Sequence, residues 1–240
     1  MAVIKGKKFI VDGKRLDGRK ALDAREIEMK VGVIPNANGS SMVRFGNTTA
    51  VCSVYGPRAL FPKHLQEPDR AILQLRYNMA PFSVDERIRP GSSRREIEIS
   101  KVMRLALEPA LFLENYPRTG VDVYVEIIEA DGSTRATSIN AASLALADAG
   151  LPMKDLVVGL SGGKVDDTLI IDLNGLEDNN SQADIPLAFL PRKKEITLMQ
   201  MDGLLNHDEI KKLLKEIMKA GEKVNEKQKE SLRSKYKVQV

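Results

Sequence analysis

The chain is poor in the side chains on which much enzyme chemistry is built. It has one cysteine, two histidines and no tryptophan in 240 residues. Cys52 alone excludes an intramolecular disulfide and any zinc site made of several thiolates. Its setting, Thr49-Ala50-Val51-Cys52-Ser53-Val54, suits a buried strand residue rather than a reactive thiol. His64 and His207 are too few for a site built on several imidazoles. Aromatics make up only 5% of the chain, so a platform that stacks successive bases is not expected. No apolar run approaches the roughly 20 residues of a membrane span. The start, Met1 to Lys8, has none long enough for a signal peptide. The expected location is therefore the cytoplasm, with no membrane partner.

What remains is ordinary for a soluble globular protein: 42% hydrophobic and 29% charged residues. The length allows one domain or two tightly packed halves. A formal charge of +4 with a pI near 9.0 leans toward an anionic partner. Where the charge sits matters more than its sum.

Periodicity gives strand-like runs near Glu26 to Ile34, Ser41 to Phe45, Thr48 to Tyr55 and Ala71 to Tyr77. A helix follows from about Ser93 to Asn115, opened by the capping box Ser93-Arg94-Arg95-Glu96. After Pro117 the pattern predicts a strand over Val121 to Glu129 and a helix over Thr134 to Ala149, ended by Gly150 and Pro152. Four short strands fall between Val157 and Met201, and a last helix begins near Asp208 with an apolar stripe at Ile210, Leu213, Leu214, Ile217, Met218 and Val224. The lysine-rich stretch Glu222 to Lys237 reads as a solvated face. Strands followed by a helix occur twice, which implies an α+β fold of two similar halves, about residues 10–150 and 151–225.

Four segments can carry chemistry. Ala130-Asp131-Gly132-Ser133-Thr134-Arg135 closes a strand and opens a helix, an arrangement that binds phosphate on backbone N–H groups, although such a turn can also be a plain N-cap. Glu177 to Asp184 sets Asp178 and Asp184 between two strand-like runs, as candidate catalytic acids or as turn formers around Asn179-Asn180. Arg87, Arg89, Arg94 and Arg95 stand in a segment with no acid between Arg87 and Arg95. Arginines at a helix N-terminus oppose the helix dipole at up to about 1 kcal/mol each, a cost that a bound anion would offset. Arg58, Lys63, His64 and Arg70 form a further basic cluster, which suits either a groove for phosphates or plain surface solubility. An acid pair, an anion cradle and arginine-rich loops together point to chemistry on a phosphate ester.

Arg15-Leu16-Asp17-Gly18-Arg19, Gly46 to Val51, Arg87 to Glu96, Ala130 to Arg135, Asn140 to Met153 and Glu177 to Asp184, in this order, resemble the RNase PH family. The resemblance runs from about residue 10 to about residue 225. Tyr55-Gly56-Pro57-Arg58 and Phe61 to Gln66 look more like its archaeal exosome branch than like the tRNA-trimming bacterial branch. It implies an α+β, RNase PH-like fold of two β-sheet-plus-helix halves, of the type of ribosomal protein S5 domain 2. It also implies a six-membered ring shared with a related non-catalytic subunit, with RNA-binding cap subunits. The activity implied is a phosphate-dependent 3′-to-5′ exoribonuclease that releases nucleoside diphosphates from single-stranded RNA and runs in reverse to add tails. A ring-forming RNA-binding scaffold and a self-assembling tRNA 3′-end trimming enzyme are the alternatives.

Carried onto these residues, the resemblance gives Gly132, Ser133, Thr134, Arg135 and Arg95 to inorganic phosphate as co-substrate. It has Arg94 and Arg95 bridge phosphate and RNA; separately, the basic segments give Arg58, Lys63, His64, Arg87, Arg89 and Arg94 as candidate RNA contacts. Asp178 and Asp184 would supply a general acid and hold Mg²⁺, with the division of roles open.

Overall fold

The computed structural model describes residues 8–11, 13–91 and 93–236. The reading of the chain start, and the places of Ser92 and Lys237 in their basic segments, lie outside the described residues. A short antiparallel pair, β1 (Ile10–Val11) and β2 (Lys14–Arg15), precedes the first sheet. That sheet comprises β3 (Ile27–Val31), β4 (Gly39–Phe45), β5 (Thr48–Ala59), β6 (Ile72–Met79) and β7 (Thr119–Glu129), in the order β3-β4-β5-β7-β6. Between β6 and β7 runs α1 (Arg94–Leu107), and after β7 comes α2 (Thr134–Asp148). The second sheet comprises β8 (Val158–Val165), β9 (Thr168–Ile171), β10 (Ala183–Leu190) and β11 (Glu195–Met199), in the order β11-β10-β8-β9, with β12 (Asp202–Gly203) on the start of β10. A six-residue helix, α3 (Gly175–Asn180), stands between β9 and β10, and α4 (His207–Tyr236) is the last element among the described residues.

The helix predicted to reach Asn115 ends at Leu107. Pro109 has no N–H to continue the ladder, and the chain goes on as two 3₁₀ turns, Glu108–Ala110 and Leu113–Asn115. Asn179-Asn180 belongs to α3 rather than to a turn. The Glu222 to Tyr236 stretch continues α4: its lysines face outward or lie half-buried, while Val224, Asn225 and Gln228 are buried.

Helix α2 explains why two sheets can share one core. Almost every residue is buried, including Ala136, Ala141, Ala142, Ser143 and Ala145, and its small side chains let β4 and β5 approach on one side and β8 on the other. Gly159 on β8 completes the fit, since a Cβ there would stand 2.7 Å from the Ala136 carbonyl oxygen. Asn140 satisfies the buried backbone on that side, donating to the Gly159 carbonyl at 2.7 Å and accepting from the Gly159 N–H at 3.1 Å. Gln228 of α4 then donates to Asn140 at 3.0 Å, so three elements meet without an orphaned amide. Cys52 is fully buried in β5, where burial pushes its thiol pKa up and leaves it inert at neutral pH.

Candidate active site

The site begins with one topological fact. Strand β6 pairs parallel to β7, from Ile72 opposite Gly120 to Met79 opposite Ile127. Both strands therefore end at the same edge, and the segments leaving them lie together: the Ala130 N–H donates to the Ser83 carbonyl at 2.8 Å. One segment leads into α1, the other into α2, so two helix N-termini converge on one edge.

The start of α1 is fixed as its sequence predicts. The Ser93 hydroxyl accepts from the Glu96 N–H at 3.2 Å, and the Glu96 carboxylate accepts from the Ser93 N–H at 2.6 Å. The other Glu96 oxygen takes the Met79 N–H at 3.0 Å, pinning the helix start to the end of β6. Burial pushes the Glu96 carboxyl up, but the N–H groups of Ser93 and Met79 outweigh it and hold the pKa below the usual range. Arg94 and Arg95 are left exposed on the first turn.

The start of α2 differs. Gly132 and Ser133 both have positive φ, +73° and 53°, and no side chain caps the helix. The Ser133 hydroxyl is turned elsewhere, lying 2.6 Å from the Ser161 hydroxyl and donating to the Leu173 carbonyl at 2.8 Å. The first-turn N–H groups, which have no acceptor within a helix, are thus left for an anion. Gly132 is required for position as well as conformation, because a Cβ would meet the backbone of Leu173, Asn174 and Gly175 at 2.6–2.8 Å. The Asp131 carboxylate accepts from the Gly175 N–H at 2.8 Å. The anion loop is thereby clamped onto the beginning of α3.

That clamp joins the two motifs that were separate in sequence. Helix α3 has its own capping box, Asn174 with Glu177. The buried Arg15 holds Glu177 through its Nε at 2.6 Å and donates to the carbonyls of Ile171 and Asp172 at 2.7 and 2.8 Å. Asp172 in turn is fully buried against Arg25, with contacts of 2.7 and 2.9 Å. The Arg15–Arg19 motif is therefore structural: it braces the helix that carries Asp178.

Asp178 and Asp184 lie half-buried, Asp184 as the second residue of β10 with its Cα opposite Asp202 on β12. Burial pushes the Asp184 carboxyl up to about 7; the charge of Asp178 and that of Asp202 push the same way, and Arg135 opposes them. Asp178 is raised mainly by burial and slightly by Asp202, against the charges of Arg95, Arg135 and Arg25. The fold thus gathers Arg95, Arg135, Asp178 and Asp184 into one electrostatic unit. At neutral pH one carboxyl of the pair can carry a proton, the state a general acid needs.

Arg135 completes the cradle. Its Nη2 donates to Glu98 of α1 at 3.1 Å, while its Nε is buried without a partner among the described residues. A buried, unmade donor costs about 1–3 kcal/mol, a cost that a phosphate oxygen would remove.

Other predicted residues are placed differently. Arg87 and Arg89 are exposed in the segment that enters α1, at the rim of this edge. Arg58 is paired in register with Gly120, at the opposite end of β7, about ten strand residues or about 30 Å from the anion loop. There its Nε and Nη2 both donate to one oxygen of Asp122, beside a cleft lined by Leu60, Phe61, Gln74 and Tyr124. Lys63 and His64 follow in an exposed 3₁₀ turn. Sequence reading missed Asp202 and Glu98. Asp202-Gly203 has the composition of a turn, and Glu98 lies two residues beyond the capping box on a helix rich in charge; only the packing makes them neighbours of the site.

Comparison with known proteins gives the family. Two consecutive family models, described as the first and second domains of the 3′ exoribonuclease family RNase PH, match residues 23–152 and 155–224. The chain belongs to that family. RNase PH proteins are 3′ exoribonucleases that use phosphate as co-substrate, and this chain is an enzyme of that kind. It is 56% identical over 225 residues to the exosome complex component Rrp41 of Pyrococcus furiosus, covering 94% of this chain and 90% of that protein. The corresponding Pyrobaculum aerophilum component is 53% identical over 229 residues, covering 95% and 93%. Among solved structures, rice Rrp46 superposes with a TM-score of 0.83 at 23% identity over 91% of this chain and all of that one. A chain of the Archaeoglobus fulgidus exosome, solved with RNA bound to the active site, gives 0.78 at 24% identity over 90% and 93%. These two likenesses establish the RNase PH-like fold.

Proposed function

We propose that this chain is the catalytic subunit of an archaeal RNA exosome, cleaving single-stranded RNA from its 3′ end by phosphorolysis. The observation that carries this reading is the meeting of an uncapped helix N-terminus and an Arg135 Nε without a partner among the described residues with an acid pair in which burial pushes the Asp184 carboxyl up to about 7. Identity above 50% to exosome components of several archaea supports membership of a multi-subunit exosome; the assembly we infer is a six-membered ring with a related non-catalytic subunit, carrying RNA-binding caps, in the cytoplasm.

The chemical difficulty is electrostatic. Two unit charges about 4 Å apart repel by roughly 4 kcal/mol at an effective dielectric near 20, and here both the attacking phosphate and the RNA diester are anions. First-turn N–H groups of α2, including those of Thr134 and Arg135, with the Arg135 guanidinium, hold the phosphate; Arg95 lies between it and the RNA. A phosphate oxygen attacks the phosphorus of the last diester, the bond to the upstream O3′ breaks, and Asp184 gives that oxygen its proton. The product is a nucleoside diphosphate and RNA shorter by one residue. Run backward, the ionised Asp184 takes the proton from the 3′ hydroxyl and a tail grows.

A magnesium ion suits this donor set. Asp178 would hold it while Asp184 keeps its proton, since Mg²⁺ commonly takes one or two carboxylates together with substrate phosphate oxygens. No group of three or more potential ligand side chains is arranged for a metal among the described residues, so substrate oxygens and water would complete the shell. When bound, Mg²⁺ supplies neutralisation of charge on the phosphoryl oxygens.

The test is product identity from 5′-labelled and uniformly labelled single-stranded RNA with Mg²⁺, for the chain alone and with its ring partner. Phosphate-dependent nucleoside diphosphates support the reading. Monophosphates without phosphate would mean hydrolysis, and no products in either assembly would mean a scaffold.

A further inference from the structure

Arg135 does not stand alone. Glu98 of α1 faces it with one carboxylate oxygen, accepting from Nη2 at 3.1 Å, and uses the other to accept from the Gln200 side-chain amide at 2.9 Å. Gln200 lies between β11 and β12, and its backbone N–H donates to the Pro186 carbonyl at 3.2 Å, two residues beyond Asp184 on β10. The chain of contacts therefore runs from the strand carrying Asp184, through Gln200 and Glu98, to the arginine at the start of α2. It crosses from the second sheet to both helices of the first.

We propose that Glu98 is a positioning residue for phosphate, holding the Arg135 guanidinium by Nη2 so that its buried Nε is presented to the incoming anion, with Gln200 fixing Glu98 in turn. Three observations support it. Both oxygens of Glu98 are engaged by groups from different elements, which leaves its carboxylate one orientation. Arg135 Nε and Gln200 Oε1 are buried without partners among the described residues, so the contacts that are made set where the remaining atoms point. Glu98 itself is a poor phosphate ligand: its charge opposes the anion, so geometry is the benefit left to explain it.

This inference rests on the reading of Arg135 as a phosphate ligand, and position and charge can be separated. In Glu98→Ala both contacts are lost. In Glu98→Gln the side-chain oxygen still accepts from Arg135, and a flipped Gln200 can accept from the new amide through its free Oε1; geometry survives and one negative charge is gone.

The experiment measures the phosphate dependence of RNA phosphorolysis by the full chain in its active assembly, with titration calorimetry using inorganic phosphate and a thermal melt for each variant. Glu98→Ala is expected to raise the phosphate KM about tenfold, with smaller changes in kcat and RNA KM, in line with the sensitivity of such sites to displacements near 1 Å. Gln200→Ala should move phosphate KM the same way by less. Glu98→Gln should leave phosphate KM within about twofold of the parent or lower it. Equal losses in Glu98→Ala and Glu98→Gln, or a fall in kcat and RNA KM alike with a lowered melt, would overturn the positioning role. Unchanged phosphate binding in Arg135→Ala would overturn the phosphate assignment and this inference together. A large effect in Arg135→Ala with none in Glu98→Ala would overturn only the inference.

Discussion

Arg135 and Arg58 are each paired to a carboxylate at one end of the same sheet, Glu98 in the first case and Asp122 in the second, yet their surroundings differ in every respect that matters for catalysis. The Arg58 side chain is 58% exposed and turns two of its donors to a single oxygen of Asp122. Arg135 is 27% exposed and gives Glu98 one contact, while a second donor stays buried and unpaired at an uncapped helix start. The acid pair feels Arg135 directly. A basic residue near a strand end is thus weak information by itself. What distinguishes the two is whether the surrounding backbone and acids leave a buried donor without a protein partner among the described residues.

The largest expected effect belongs to the acid opposite Arg135. Asp184→Asn should lower the rate of phosphorolysis by at least about 10²-fold, since its proton is the one delivered to O3′; RNA binding should persist. Near-normal turnover in both Asp184→Asn and Asp178→Asn, read by diphosphate release, would remove the acid pair from the account. The same substitution has a stability consequence of known sign. A carboxyl whose folded pKa is raised from 3.8 to about 7 holds its proton more tightly when folded, so stability from this group is present at low pH and falls as pH rises through that window. Asp184→Asn should therefore raise the unfolding free energy at pH 8 by about 2–4 kcal/mol while leaving it unchanged near pH 3. Chemical denaturation at the two pH values checks this.

Next in size is the contrast between the arginines themselves. Arg135→Ala should raise the phosphate KM by at least about 10²-fold, the scale of a bidentate or charge-assisted contact worth about 2–3 kcal/mol. Arg58→Ala should leave phosphate KM unchanged and weaken RNA about two- to fivefold, because an exposed pair is worth about 0–1 kcal/mol. Matching effects on phosphate KM would dissolve the comparison.

The proton on Asp184 sharpens it further. Phosphorolysis should decline as pH rises through about 7, and tail synthesis should rise over the same range, since one direction needs the acid and the other its base. Free phosphate also titrates near there, so the discriminating variant is Asp202→Asn. Removing that negative charge should move the Asp184 limb to lower pH by a fraction of a unit in both directions of reaction. Smallest, and spread over the whole basic surface, is the salt response of RNA affinity. If about four of Arg58, Arg87, Arg89, Arg94 and Arg95 meet phosphates, log affinity should fall against log salt with a slope near about −3; a flat response contradicts backbone recognition.

Much of this was legible from residues that act through local geometry. The Ser93–Glu96 capping box and the start of α2 after Gly132-Ser133 follow from hydrogen-bonding groups at fixed short spacing, whereas a plain N-cap at Ser133 stayed open until the structure turned its hydroxyl to Ser161 and Leu173. Helix α3 was not, because a six-residue helix containing Asn179-Asn180 has the composition of a turn and is held by Arg15 from more than 150 residues away. Nor was the parallel pairing of β6 with β7, which alone brings the two helix N-termini to one edge; strand order leaves no periodic mark in a sequence. Asp202 and Glu98 were invisible for the same reason. Their importance arises from contacts between elements rather than from spacing along one.

The most direct measurement of the central claim is phosphate dependence of product formation, comparing the parent chain with Arg135→Ala and Arg58→Ala in the same ring assembly. Nucleoside diphosphates whose release saturates with phosphate in the parent and Arg58→Ala, and requires far more phosphate in Arg135→Ala, are the predicted result. Release of monophosphates independent of phosphate, or a phosphate KM that responds to Arg58 and not to Arg135, would contradict it.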